Sequence, residues 1–419
     1  MTPATPSTSP EPGPGVRASG AALDRAAPEE GAGTWLENLQ LFGLLGAILA
    51  TVVVFQFLTN GIFLTPGNLY DLGKQVAILG VAAAGVTCVL IMGEFDISTG
   101  GAVAFIASVL GAMLIRRVDI TSSVAAAENI SGWIALPIGL AAALTMAVVH
   151  GFVITRMARA GFRTASFIVT LAGLIGYPAL AILVLPNAAA PTPPYIGALG
   201  REAVPGVIAT PVIILGAAAA IYSLIRSVRS GRRSRGAAVP GLIVIGVLLI
   251  PLLLLSTSKG IPWMLVVCVA AVIILEIVTQ MTVFGRHAYA IGGNRQDARL
   301  SGVNVARTIK IGFLIMGLVY FLDGVLYLAR LDAASPLIGR GLELRSIAAA
   351  AIGGVSLAGG RGRPYQALLG AFVIVGLANG FNLLNLPTLW QDVVTGIVLV
   401  SAVWFDVAVR NRVNKVVVE

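Results

Sequence analysis

The chain has 419 residues, 57% hydrophobic and only 11% charged, with a formal net charge of +9. Soluble domains carry about 25% charged residues, so the composition excludes a globule with a large core and describes an all-α polytopic membrane protein. A positive balance also suits nucleic acid, but the basic residues cluster between apolar runs, where they set topology instead.

Residues 1–34 are rich in Pro, Gly, Ala and Ser and lack the apolar run of a secretory signal. They are expected to form a disordered cytoplasmic tail. A span needs about 20 apolar residues to cross the hydrocarbon core. Apolar runs read as spans fall at 41–58, 75–92, 102–115, 133–154 and 165–185. Others fall at 207–225, 240–256, 263–284, 311–329, 365–384 and 393–409, with a short, small-residue-rich one at 346–358. The three arginines within 155–163, the five within 226–236 and Arg410, Arg412 and Lys415 near the end mark the inner face. Loops 116–131, 186–202 and 330–345 are external by alternation. The reading is a membrane domain over 35–410 with ten to twelve spans and a cytoplasmic tail over 411–419, both termini being inside. The 49 glycines suit close helix packing in lipid. Cys88 and Cys268 lie inside apolar runs without metal-ligand spacing, so they read as packing residues, with no metal site and no disulfide framework. His150 and His287 are isolated and read as structural, and the sequon at 129–131 as chance.

Three stretches interrupt the apolar pattern. GEFDISTGG (93–101) places Glu94 and Asp96 between two spans. A carboxylate at the bilayer centre costs about 2.5–3.5 kcal/mol on insertion scales, so each needs an aqueous cavity or a partner. The flanking glycines suit a broken helix lining such a cavity. The other reading is a turn whose Asp96 caps the following helix. GGVSLAGGRG (353–362) resembles a phosphate-cradling loop only in glycine content. The chain has no G-x-x-x-x-G-K-[ST], so ATP is not expected to bind here. Asn379, Asn382, Asn385, Trp390 and Gln391 cluster near the last apolar run. Amides and an aromatic face suit the path of a neutral sugar; hydrogen bonding between helices, with Trp390 at the membrane interface, is the alternative.

The long charged insert at 285–310, GRHAYAIGGNRQDARLSGVNVARTIK, cannot lie in lipid. Arg286, Arg295, Arg299, Arg307 and Lys310 put it on the cytoplasmic face. Its YAIGGN and ARLSGV runs resemble the cytoplasmic loop of monosaccharide ABC-importer permeases, the ribose/xylose/arabinose group, of the sugar/branched-chain amino acid permease type. GEFDISTGG is similar to that family's G-x-I-D-[LI]-S-x-G signature, departing at Phe95 and Thr99 and carrying Glu94 where glycine is usual. Glu343-Leu344 with 353–362, and LPTLWQDVVTGIVLVSAVWFD (386–406), resemble the same family. The additional pair of spans around 226–235, together with SFIVTLAGL (166–174), favours the xylose branch.

The resemblance implies a non-catalytic translocation subunit that works as a permease dimer. It implies as partners an ATPase subunit, which holds the ATP and Mg, and an extracytoplasmic sugar-binding protein. The insert would be the ATPase-coupling element, a set of short helices carried by Arg286, Asn294, Arg299, Ser301 and Gly302. Glu94, Asp96, Asn379, Asn382, Trp390 and Gln391 are the candidates for the translocation pathway, and a pentose such as D-xylose for the substrate. The alternative is a secondary transporter driven by an ion gradient. That mechanism requires paired intramembrane ionisable groups, whereas Glu94, Asp96, Glu276 and Asp323 are scattered along the chain.

Overall fold

The computed structural model describes residues 30–114, 131–162, 164–186, 190–230 and 235–387, and most of 389–404. The expected N-terminal tail up to residue 29, the 116–130 loop with the first two residues of the sequon, residues 231–234 of the arginine-rich connector and the 411–419 tail lie outside the described residues.

The helices are α1 (Glu30–Leu58), α2 (Pro66–Leu90), α3 (Thr99–Leu114), α4 (Gly132–Arg159) and α5 (Ala165–Val184), then α6 (Pro194–Arg201), α7 (Gly206–Arg229), α8 (Arg235–Ser256) and α9 (Trp263–Met281). They continue as α10 (Val283–Gly293), α11 (Arg295–Leu300), α12 (Val305–Leu331), α13 (Leu342–Ile352) and α14 (Pro364–Leu383). Described residues between 389 and 404 are also helical. By length and composition α2, α4, α5, α7, α9, α12 and α14 can each cross a bilayer. Two-residue ladders, β1 (Ala190–Pro191) with β4 (Ala333–Ala334) and β2 (Ala203–Val204) with β3 (Ile261–Pro262), tie the connectors together at one end of the bundle. There Arg201 pairs with Asp332, whose Oδ1 accepts from Thr192 Oγ1 at 2.6 Å. The α10–α11 insert lies at the other end, called here the insert end.

The centre is α2, which packs against α9, α12, α13 and α14. Its sequence, AILGVAAAGVTCVL, offers small residues on every face. A Cβ on Gly80 would come 2.6 Å from Leu368 Cδ1 and one on Gly85 2.5 Å from Val319 Cγ2, so glycine is what lets α14 and α12 approach this closely. The pair α7–α8 is the opposite case. Ala209 is the one buried residue of α7, which packs chiefly on α8 and leaves Val207, Ile208, Val212 and Leu215 exposed for lipid.

Two helices packed within the bundle, α3 and α13, are too short to cross. The run at 346–358, expected as a short, small-residue-rich span, is the 11-residue α13, about 16 Å long at 1.5 Å per residue and so not a crossing. The 16 residues of α3 reach about 24 Å. Their N-termini meet inside the bundle. A Cβ on Gly100 would lie 2.1 Å from Glu343 Oε2 and 2.2 Å from the Gly339 carbonyl. From this meeting point α3 runs to the ladder end, where Leu110 touches Gly139 of α4, and α13 runs to the insert end. The chain thus holds two half-helices of opposite direction. The non-helical backbone that feeds α3 is largely buried in protein, the setting in which such backbone is tolerated at membrane depth, whereas the turns that feed α13 carry the exposed Leu337 and Arg340.

Candidate functional site: the broken α2–α3 segment and the insert end

Between α2 and α3 the chain turns at Gly93, with φ +73°, and is non-helical over 94–98. Three successive residues of this stretch attach to three different elements. Glu94, 3% exposed, forms an ion pair with Arg295 at the start of α11. The Phe95 N–H donates to Ser166 Oγ of α5 at 3.3 Å. Asp96, fully buried, accepts from the Ser98 N–H at 2.9 Å, from Ser98 Oγ at 2.6 Å and from the Tyr320 hydroxyl of α12. Asp96 therefore makes an Asx-type turn just before α3, and its negative charge sits by the positive end of that helix. Glu343 does the equivalent for α13, its Oε1 accepting from the Gly341 N–H at 3.1 Å. Beside this centre the Tyr177 hydroxyl lies 2.8 Å from His150 Nε2, and Phe313 of α12 closes edge-on over the imidazole.

Toward the insert end the contacts become backbone to backbone. The Gly360 N–H donates to the Ile91 carbonyl at 2.8 Å. A Cβ on Gly292 would fall 1.9 Å from the same carbonyl, and one on Gly359 2.9 Å from the Gly93 nitrogen. Three chain segments, at 91–93, 292–293 and 358–362, meet here because glycine removes every side chain between them. Tyr289 of α10 fastens the junction, donating to the Gly362 carbonyl at 2.6 Å while Gln280 donates to its oxygen. Burial pushes the Tyr289 hydroxyl above its ordinary pKa, partly opposed by the Gln280 hydrogen bond.

The insert is two short helices, α10 and α11, joined at Asn294. Asn294 Oδ1 accepts from the N–H groups of Gln296 at 2.9 Å and Asp297 at 3.3 Å, an N-cap that starts α11. Gly302, at φ +83°, ends the turn after α11 in the left-handed region that favours glycine. Arg286, Asn294, Arg299, Ser301 and Gly302 are all exposed, and Leu300 is 81% exposed at the tip of α11. Beneath them two adjoining clefts, of about 260 and 680 Å³, share Ala158, Arg295 and Arg299 as lining.

Sequence comparison places this architecture. The profile of the family described as branched-chain amino acid transport system / permease component matches residues 68–403. The chain belongs to that family. The xylose transport system permease protein XylH of Escherichia coli (strain K12) is 32% identical over 396 residues, covering 90% of this chain and 93% of that protein. XylH of Haemophilus influenzae is 32% identical over 391 residues, covering 90% and 98%. The ribose import permease protein RbsC of Bacillus subtilis (strain 168) is 30% identical over 358 residues, covering 85% and 90%. No solved structure matches the chain.

Within this permease family member the sequence-predicted residues separate into three places. Glu94 and Asp96 are buried and partnered. Asn379 Oδ1 accepts from Asn68 Nδ2 at 2.9 Å, joining α14 to α2, while Asn382 Oδ1 accepts from Gln391 Nε2 at 2.6 Å. These amides bond between segments, and Trp390, 61% exposed, stands at the surface. The insert residues form the third place. The sequence alone does not single out Arg295, Tyr320, Tyr177 or Asn68. Arg295 is one arginine among several in the insert. The tyrosines sat unmarked in apolar runs, although a hydroxyl at mid-span is itself a sign of a hydrogen-bond partner. Cys88 and Cys268 are free, buried packing residues as expected.

Proposed function

We propose that the chain is the membrane-spanning permease subunit of an ATP-driven importer that moves a monosaccharide, with a pentose such as D-xylose as substrate. The observation that carries this is the 32% identity to xylose permeases across nine-tenths of both chains. In this reading a separate ATPase subunit holds ATP and Mg and grips the α10–α11 insert from the cytoplasm. A sugar-binding protein delivers substrate at the ladder end. Two copies of the permease surround the pathway, and both termini face the cytoplasm. Closure of the ATPase around nucleotide displaces α10–α11 and shifts the population between inward- and outward-open states. The chain itself hydrolyses nothing.

Support for the docking role comes from the form of the insert. It carries exposed arginines and an exposed leucine on two short helices, the second capped by Asn294, the kind of polar-rimmed apolar anchor that a partner groove accepts. The test is reconstitution in proteoliposomes with the cognate ATPase and binding protein, measuring uptake of labelled xylose and ribose. Uptake that needs ATP and prefers xylose is the expected result. Uptake by the permease alone, driven by an ion gradient and abolished by ionophore, would overturn the reading in favour of a secondary transporter.

A further inference from the structure

We infer that the Glu94–Arg295 ion pair, set in the glycine junction of Gly93, Gly292, Gly359 and Gly360, is the latch that delivers movement of the insert to the broken α2–α3 segment. The inference rests on the importer reading above and assigns the positioning residues of its coupling step.

Burial supplies the first argument. The Glu94 side chain is 4% exposed and that of Arg295 33%. Removing either partner leaves the other's charge uncompensated, and this penalty is larger for the buried carboxylate. The pair therefore holds while α11 moves, provided the 94–98 strand can follow. The other described ion pairs do not serve this link: Lys74–Asp71 joins neighbours on α2, and Arg201–Asp332 sits at the ladder end.

Connectivity is the second. One residue beyond Glu94 the chain is tied to α5, and two residues beyond to α12, through Phe95 and Asp96. A pull on Glu94 is thus felt within three residues by two spans and by the start of α3. Being non-helical, 94–98 can absorb a change in φ and ψ that a continuous helix would resist.

The third is steric. At the junction the backbones of 91–93, 292–293 and 358–362 touch directly, so displacement of α10 pushes on Gly93 and the 358–362 loop without slack. Contact can push; the ion pair also allows the insert to pull. Both directions are needed in a reversible cycle.

The test uses the full complex of permease, ATPase and binding protein in proteoliposomes, comparing wild type with Glu94→Gln, Arg295→Glu and the double swap Glu94→Arg/Arg295→Glu. The readout is sugar moved per ATP hydrolysed, a ratio that simple loss of folded protein does not change. Each single variant is expected to lower that ratio about tenfold while the ATPase stays bound and the variant elutes as a single species. The double swap is expected to recover most of it. Single variants that keep the wild-type ratio, or a double swap no better than the worse single, would overturn the latch. Should a single variant fail to fold, the double swap against wild type decides: a folded swap with a collapsed ratio counts against the latch, a restored ratio for it. Failure of the importer reading is separately visible, because wild type would then show no ATP-dependent uptake at all.

Discussion

Replacing Asp96 with alanine removes the acceptor that organises the meeting point of the half-helices. The carboxylate takes hydrogen bonds from the Ser98 N–H, the Ser98 hydroxyl and the Tyr320 hydroxyl, and all three residues are fully buried. The Ser98 hydroxyl can rotate toward another acceptor; the Ser98 N–H and the Tyr320 hydroxyl are left without their partner. At about 1–3 kcal/mol for each stranded buried donor, the loss is about 2–6 kcal/mol, a thirtyfold or larger fall in the folding equilibrium at about 1.4 kcal/mol per tenfold. The assay is SDS-induced unfolding of purified protein in mixed micelles, followed by tryptophan fluorescence. Asp96→Asn provides the control: its oxygen still accepts from Ser98 and its amide can donate to a rotated Tyr320 hydroxyl, so it should recover more than half of the loss. An alanine variant as stable as wild type would refute the reasoning, as would an asparagine variant as damaged as the alanine one.

Gly100→Ala should destabilise by about 1–3 kcal/mol through overpacking, because its methyl group would meet a backbone carbonyl and the Glu343 carboxylate near 2 Å; thermal unfolding in detergent measures it. Asn379→Ala should cost much less, about 0.6 kcal/mol by the average for hydrogen bonds between membrane helices, since Asn68 Nδ2 keeps the Phe63 carbonyl at 2.8 Å; a double-mutant cycle with Asn68→Ala isolates the pair. Arg299→Glu, at an exposed site on α11, should leave unfolding unchanged yet abolish stimulation of the ATPase by loaded binding protein. Wild-type stimulation and uptake in that variant would remove Arg299 from the coupling surface.

The span pattern was legible because lipid imposes a strong constraint: long apolar runs between arginine-bearing connectors have few other solutions. The same physics made Glu94 and Asp96 conspicuous, since a carboxylate among apolar spans demands an explanation. What could not be read was which explanation applied. The partner of Glu94 lies 201 positions along the chain, in an insert whose arginines all serve topology equally well. The partner of Asp96 is a tyrosine inside an apolar run. Nor did SIAAAAIGGVSLA announce a half-helix. It is apolar throughout, and its break at Gly353–Gly354 follows from close approach, where a Cβ on Gly353 would lie 2.2 Å from the Gln366 carbonyl. Hydropathy records how much of a segment is apolar and says nothing of where its backbone must make way for another.

The two carboxylates of the break are stabilised in different ways, and the difference divides their roles. Asp96 is held by neutral donors and the positive end of α3, all inside the bundle, so its partners move with it and its loss registers as stability. Glu94 is held by a cation on an element outside the bundle core, so its partner belongs to the part that a docked protein would displace. Substitution at Asp96 should therefore shift unfolding strongly at any state of the ATPase. Substitution at Glu94 should shift the ratio of transport to hydrolysis with a much smaller change in stability, because Glu94→Gln removes the buried charge and leaves uncompensated only Arg295, whose side chain is one-third exposed and can be solvated. Two acids two residues apart, in one strand, would then give separable phenotypes. If both variants changed the same quantity to the same degree, the 94–98 strand would be a single structural plug, and the division between anchor and latch would fall.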